Sequence, residues 1–485
     1  MRMISIPAVT RTFLAAACAL TCLAASATTI TITSRDAPGV GFNDPTPVAP
    51  VGGNPGTTLG AQRYNVYRYV ADIWEKNLTS NVDITVSAAW EALTCTSNSA
   101  VLGSAGAWNI WRDFSGAKPN TWYHQALANK IAGTNLSDGT PDDGSGFGNV
   151  DIKTQFNVNL GKPDCLAGSE FYLGLDGNAG GKVNFVATLL HELGHGLGFS
   201  ALTVTTSTGA RYDNRPSVWE QFMYDNTVNK TWLEMTNAER KASAVNPLKL
   251  AWIGPNAVSA ATLLRATPVI QINSPQPGAT RKYDYNPSPF GKPAVTPSLM
   301  GALANVAPQA GELGPACSPF DAANTMAVKG KVAIISRGNC TFAIKVKNAQ
   351  NAGAVAAILV NNVAGPLTPG GADPTITIPS GGVSMADGEL LKAAVNGAIP
   401  YGARGRPGSA TALWASDPTR LAGADSKGRP LLYTPATLAP GSSVSHWDVT
   451  ASPNLLMEPN ISSDLGIIMD APKDLTVPLM RDLGW

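Results

Sequence analysis

Charge is scarce in this chain. Only 14% of its residues are Asp, Glu, Lys or Arg, and the formal net charge is +1, against a usual charged share of about 25%. No basic patch is available to hold nucleic acid and no polybasic run to hold a membrane surface, so both partner classes are excluded. Long apolar runs are missing as well, apart from residues 13–25. No later segment offers the roughly 18 uninterrupted apolar residues that a membrane helix needs. A G-x-S-x-G elbow is absent, which removes the usual serine nucleophile. Histidine is rarest of all, at four in 485 residues.

The early apolar run has Arg2 and Arg11 before it and Ala25-Ser26-Ala27 after it. That is the layout of a secretory signal with a small-residue cleavage site. Residues 1–27 are therefore expected to leave, taking Cys18 and Cys22 with them. Cys95, Cys165, Cys317 and Cys340 remain. An even count in an exported chain favours disulfides; four cysteines allow three pairings, and proximity favours 95 with 165 and 317 with 340. The remaining length suggests two or three domains.

Two of the four histidines fall in His191-Glu192-Leu193-Gly194-His195. At 100° per residue, Leu189, Leu190, Leu193 and Leu197 lie within about 60° of Val186, an apolar stripe that packs on a core. His191 and His195 share the opposite face, four residues apart, where two imidazoles close on one Zn²⁺. Glu192 points about a quarter turn away, beside the metal, where a general base for a water belongs. Gly194 and Gly196 cost the helix about 1 kcal/mol each relative to Ala. Such a cost implies a close neighbour.

Strands are expected at 29–33, 82–86, 151–160 and 171–175, with an amphipathic helix over 61–74. Together with the motif helix they describe an α+β domain. His124, in the stretch 122–127 read as a short helix, has no partner in sequence and is taken as packed or surface. The Asp- and Gly-rich stretch 138–151 would suit Ca²⁺ by composition but lacks EF-hand spacing, so a solvated loop is the better reading.

A catalytic zinc needs three protein ligands and an open position for water. Gly198 suits a chain turning out of the helix, but Ala201 stands where an H-E-x-x-H-x-x-G-x-x-H motif has its third histidine. One candidate is His446, in Ser445-His446-Trp447, followed by Leu455-Leu456-Met457-Glu458. A rival is Glu220, in Trp219-Glu220-Gln221-Phe222, as a carboxylate ligand of gluzincin type. With His446, the chain resembles the leishmanolysin-like branch of the metzincin zinc proteases, in which an insertion separates the glycine from the last histidine. That resemblance implies His191, His195 and His446 as zinc ligands, Glu192 as base and Met457 as the Met-turn residue under the metal. It implies a secreted zinc endopeptidase acting on protein or peptide substrates, with a mixed sheet and an active-site helix.

The insertion has its own signature. A strand at 331–336, a helix at 342–352 and a strand at 354–360 make a βαβ unit, and no G-x-G-x-x-G follows its first strand. The words Ile335-Ser336-Arg337-Gly338-Asn339-Cys340-Thr341-Phe342, Lys345 and 348–354, continuing through Ile378-Pro379 and Gly388, resemble the protease-associated (PA) domain. In that family the domain is a non-catalytic module that contacts substrate or a partner. The expected layout is a protease domain over 28–287 and 406–485, interrupted by an α/β PA domain over 288–405, with 246–287 unassigned between them. A rival from another class is an exported binding protein whose zinc site does no chemistry. A short closing helix is expected at 478–482.

Overall fold

The computed structural model describes residues 28–485 apart from 98, 140–148, 205–207, 274–280, 293–297, 313, 372, 396–410 and 463. The expected leader and most of the Asp-rich loop lie outside the described residues.

The chain enters through β1 (Ile30–Ser34). Thr58 then accepts a hydrogen bond from the Ala61 amide at 3.2 Å. This cap starts α1 (Leu59–Asn77), which buries Val66, Tyr67, Val70 and Trp74. Next come β2 (Ile84–Glu91) and β3 (Gly103–Ala107). The short antiparallel pair β4 (Ile110–Trp111) and β5 (Tyr123–His124) leads into α2 (Gln125–Ala132). Residues 122–124 are thus extended, and the helix expected at 122–127 begins only at Gln125. Bridging of Trp122 to Ser217 and of Ile110 to His124 outweighs local helix preference there. β6 (Ile152–Asn157) and α3 (Phe185–Leu197) follow.

One sheet runs in the order β1-β2-β6-β3. Its first three strands are parallel and β3 is the antiparallel edge, with Ala105 opposite Thr154. α3 lies across β3 and β6 and beside α1.

A second sheet has eight strands. They are β7 (Ala266–Asn273), β8 (Arg281–Asp284), β9 (Asn286–Pro287), β10 (Ser298–Asn305), β11 (Val332–Ser336), β12 (Ala356–Val360), β13 (Ser380–Val383) and β14 (Thr411–Leu421). Their order is β8-β7-β14-β10-β11-β12-β13-β9. The two outermost strands are joined by Tyr285 alone, so the sheet curls until its edges meet. Between β11 and β12 the chain crosses over as α4 (Phe342–Asn351), capped by Thr341, and α5 (Met385–Val395) follows β13. This sheet takes strands from beyond both ends of the expected 288–405 range, because β7 pairs with β14, Val269 facing Ala415. Pairing across so many residues leaves no local pattern to read.

The cores divide in the same way. One buried cluster draws on residues between Ile30 and Leu264 and again between Leu432 and Leu483. Two others, on the faces of the eight-stranded sheet, lie between Ile270 and Trp414. α6 (Thr476–Leu483) closes the first core, and the Trp485 indole donates to the Leu197 carbonyl at 2.9 Å, fastening the C-terminus to the end of α3. Cys95 is bonded to Cys165 and Cys317 to Cys340. No helix among the described residues is long and apolar enough to cross a membrane.

Candidate metal centre

α3 starts where the Asn184 side chain accepts from the Ala187 amide at 3.2 Å. Val186, Leu189, Leu190, Leu193 and Leu197 are all buried, as the stripe requires. His191 and His195 project from the other side with their Nε2 atoms 3.1 Å apart. Into this pair comes His446, its Nε2 3.1 Å from that of His195 and 3.2 Å from that of His191.

The other ring nitrogens define the chemistry. His191 Nδ1 lies 2.8 Å from the Leu456 carbonyl, His195 Nδ1 2.7 Å from that of Phe199, and His446 Nδ1 2.9 Å from that of Ser442. A carbonyl oxygen only accepts, so each Nδ1 carries the proton and each Nε2 presents a lone pair. Burial, with the neighbouring imidazoles adding to it at His191 and His446, holds all three rings well below the usual histidine range. His191 is brought down to about 3 and His195 to about 4. Three neutral acceptors facing one another have no donor among them and repel unless a cation lies between. Tetrahedral zinc at ~2.0–2.1 Å per bond spaces its nitrogens by about 3.3 Å, close to the separations seen. The residues fit the ion.

Glu192, beside His191 on α3, hydrogen-bonds the Ala105 backbone of β3. Burial pushes its carboxyl up to about 7, more than that hydrogen bond lowers it. Met457 is fully buried beneath α3: a Cβ at Gly194 would come within 2.8 Å of its sulfur. At Gly196 a Cβ would meet Ile152 at 2.3 Å. These are the close neighbours that the glycines admit. Gly198 takes φ +123°, turning the chain out of the helix.

Glu220 is seated elsewhere. Its carboxylate accepts from Arg211 Nε at 2.7 Å and from the Thr203 hydroxyl, and it does not belong to the histidine cluster. Ala201 donates its amide to Ser445 Oγ at 3.0 Å, so the position lacking a histidine lies beside the segment that supplies one. His124 is buried and bonded to Ser200. The three carbonyls and Ser200 left no trace in the sequence, since backbone acceptors and a lone serine carry no signature there; Ser445 entered only as part of the Ser-His-Trp context of His446. A cavity of about 810 Å³ lies at the edge of the eight-stranded sheet, lined by residues such as Lys249, Asp284, Arg420 and Asp425. None of the histidines borders it.

The PA domain family matches residues 299–391, so the chain carries that domain. Vacuolar-sorting receptor 5 of Arabidopsis thaliana is 31% identical over 157 residues, 30% of this chain and 24% of the receptor. Aminopeptidase YwaD of Bacillus subtilis is 45% identical over 69 residues, 14% of this chain and 15% of that protein. Probable leucine aminopeptidase 2 of Aspergillus fumigatus is 47% identical over 66 residues, 13% of each chain. The chain thus spans a quarter or less of the length of these relatives. Among solved structures, a zinc aminopeptidase from Bacillus subtilis is similar over 33% of this chain and 35% of its own, at 24% identity and a TM-score of 0.21.

Proposed function

We propose that this chain is a secreted, zinc-dependent endopeptidase of the leishmanolysin-like metzincin type, carrying an inserted PA domain. The observation that carries the reading is the convergence of three proton-free imidazole nitrogens, each fixed by a carbonyl behind it. His191, His195 and His446 hold the metal. Zn²⁺ bound there supplies a Lewis acid that lowers the pKa of water and polarises a carbonyl. Glu192 takes the proton of the attacking water and hands it to the departing amine, a task suited to a carboxyl raised to about 7. Met457 floors the site without binding. No covalent intermediate forms.

Peptidases among the relatives support hydrolysis of peptide bonds. Because those relatives are aminopeptidases, the products decide between internal and terminal cleavage. Disulfides support export, and the PA domain contacts substrate or a partner.

The test is metal analysis with casein hydrolysis. Wild type should hold one zinc, lost in His446→Ala and kept in Glu220→Ala; Glu192→Gln should keep zinc and lose at least a hundredfold in rate, at the scale of general-base catalysis. Zinc lost in Glu220→Ala but kept in His446→Ala would move the protein to the gluzincin type. One bound zinc without cleavage of any peptide library would make it a binding protein.

A further inference from the structure

We infer that His124 is a positioning residue for the trihistidine centre, acting through Ser200 on the turn that orients His195. This rests on the zinc reading above and adds a residue to it.

His124 is only 2% exposed and comes from β5, far from the motif in sequence. Its Nε2 lies 2.8 Å from Ser200 Oγ, while its Nδ1 is buried with no partner. An imidazole buried with one hydrogen bond unmade is a cost that an apolar side chain of similar size avoids. What the ring does in return is hold residues 198–201. In that turn the Phe199 amide donates to the Gly194 carbonyl at 2.9 Å and the Ser200 amide to that of Gly198 at 2.8 Å. Phe199 supplies the carbonyl that fixes the His195 tautomer, and Ala201 is tied to Ser445, next to His446. Three successive residues therefore connect one ligand, His124 and the neighbour of another ligand. A Cβ on Gly198 would sit 3.5 Å from His124 Nδ1, so the ring also packs directly on the turn.

The need for such a clamp follows from Ala201. A ligand at position 201 would let the metal itself anchor the turn. With alanine there, the anchoring passes to side chains, His124 on one side and Ser445 on the other. Groups that orient a metal ligand from behind typically govern metal affinity by ten- to a hundredfold.

The test uses the full chain as Ser200→Ala, His124→Phe, the double variant and His124→Gln. The readouts are zinc affinity by competition with a chromogenic chelator, thermal unfolding of the metal-free protein, and kcat and KM separately. We expect zinc affinity to fall about 10- to 100-fold in each single variant. The double variant should be no weaker than the worse single, and His124→Gln should recover most of the loss. Metal-free stability should fall in Ser200→Ala by no more than the loss of the one hydrogen bond on the buried His124 ring accounts for, and kcat should fall more than KM changes. Zinc affinity within twofold of wild type in Ser200→Ala, which deletes one hydroxyl and is the variant surest to fold, overturns the inference even if His124→Phe does not fold. Wild type that binds no stoichiometric zinc overturns the zinc reading and this inference together. Stoichiometric zinc in wild type with Ser200→Ala unchanged overturns this one alone.

Discussion

Two glycines show how much one methyl group decides. Alanine inside a helix is ordinarily better than glycine by about 1 kcal/mol. At position 196 the added carbon would lie 2.3 Å from Ile152 on β6, and overpacking costs about 1–3 kcal/mol. Gly196→Ala should therefore lower the urea midpoint, and a raised midpoint would mean that α3 does not lie so close on the sheet. Gly194→Ala should act differently. Its nearest neighbour is the far end of the Met457 side chain, which can swing aside, so zinc affinity should suffer more than stability. The sequence announced the penalty at both glycines but not the neighbours, because Ile152 and Met457 arrive from distant segments. His446 was legible only through its Ser-His-Trp context and the scarcity of histidine. The carbonyls of Phe199, Ser442 and Leu456, which set the tautomers, were not legible at all.

Elements with strong local patterns are legible in the sequence. The motif helix, the βαβ unit around α4 and the closing helix α6 all lie within a few residues of their expected places. The misreading at Tyr123–His124 falls where pairing overrides propensity, and Ala266–Asn273 stayed unassigned because its strand partner is remote. The turn that carries Leu456 and Met457 depends on such a remote partner, since Asp474 Oδ2 accepts the Leu456 amide at 2.7 Å while Oδ1 accepts that of Thr476. Burial raises the Asp474 carboxyl from 3.8 to about 6, more than those hydrogen bonds lower it. A carboxyl raised on folding stabilises fully below its unfolded value, and that contribution is lost as pH climbs through the folded one. Wild type should thus lose up to about 3 kcal/mol relative to Asp474→Asn between pH 4 and 6, because each pH unit across that window is worth about 1.4 kcal/mol. Above pH 7 the difference should stay constant. Unfolding of both proteins across that range checks the slope, and a wild type that gains stability over Asp474→Asn as pH rises would mean that Asp474 is ionised and favourably held in the fold.

At the level of the whole molecule, the question is whether the histidine centre needs the segment that interrupts it. Its three histidines come from both sides of the insertion, so they must be brought together by contacts outside it. Those contacts exist: the Arg265 amide donates to the Ser452 carbonyl at 2.7 Å and the Ala422 amide to the Arg265 carbonyl at 2.9 Å. The chain therefore leaves and re-enters the first core at adjacent points, with Ala266 opposite Leu421 in an antiparallel pair. We propose on that ground that the inserted unit runs from 266 to 421, wider than the PA family match at 299–391. A two-residue Asn-Gly hairpin is the natural bridge between antiparallel neighbours. Replacing 266–421 by that bridge should leave a protein that binds one zinc and cleaves a short unstructured peptide at a rate within tenfold of the full chain. It should also lose one of two thermal transitions, since the cores on either side of the cut share no buried cluster. Calorimetry and zinc titration of the excised protein decide the matter. Failure to bind zinc, with α3 still folded by circular dichroism, would show that the eight-stranded sheet holds His446 in place and that the two halves of the site do not meet without it.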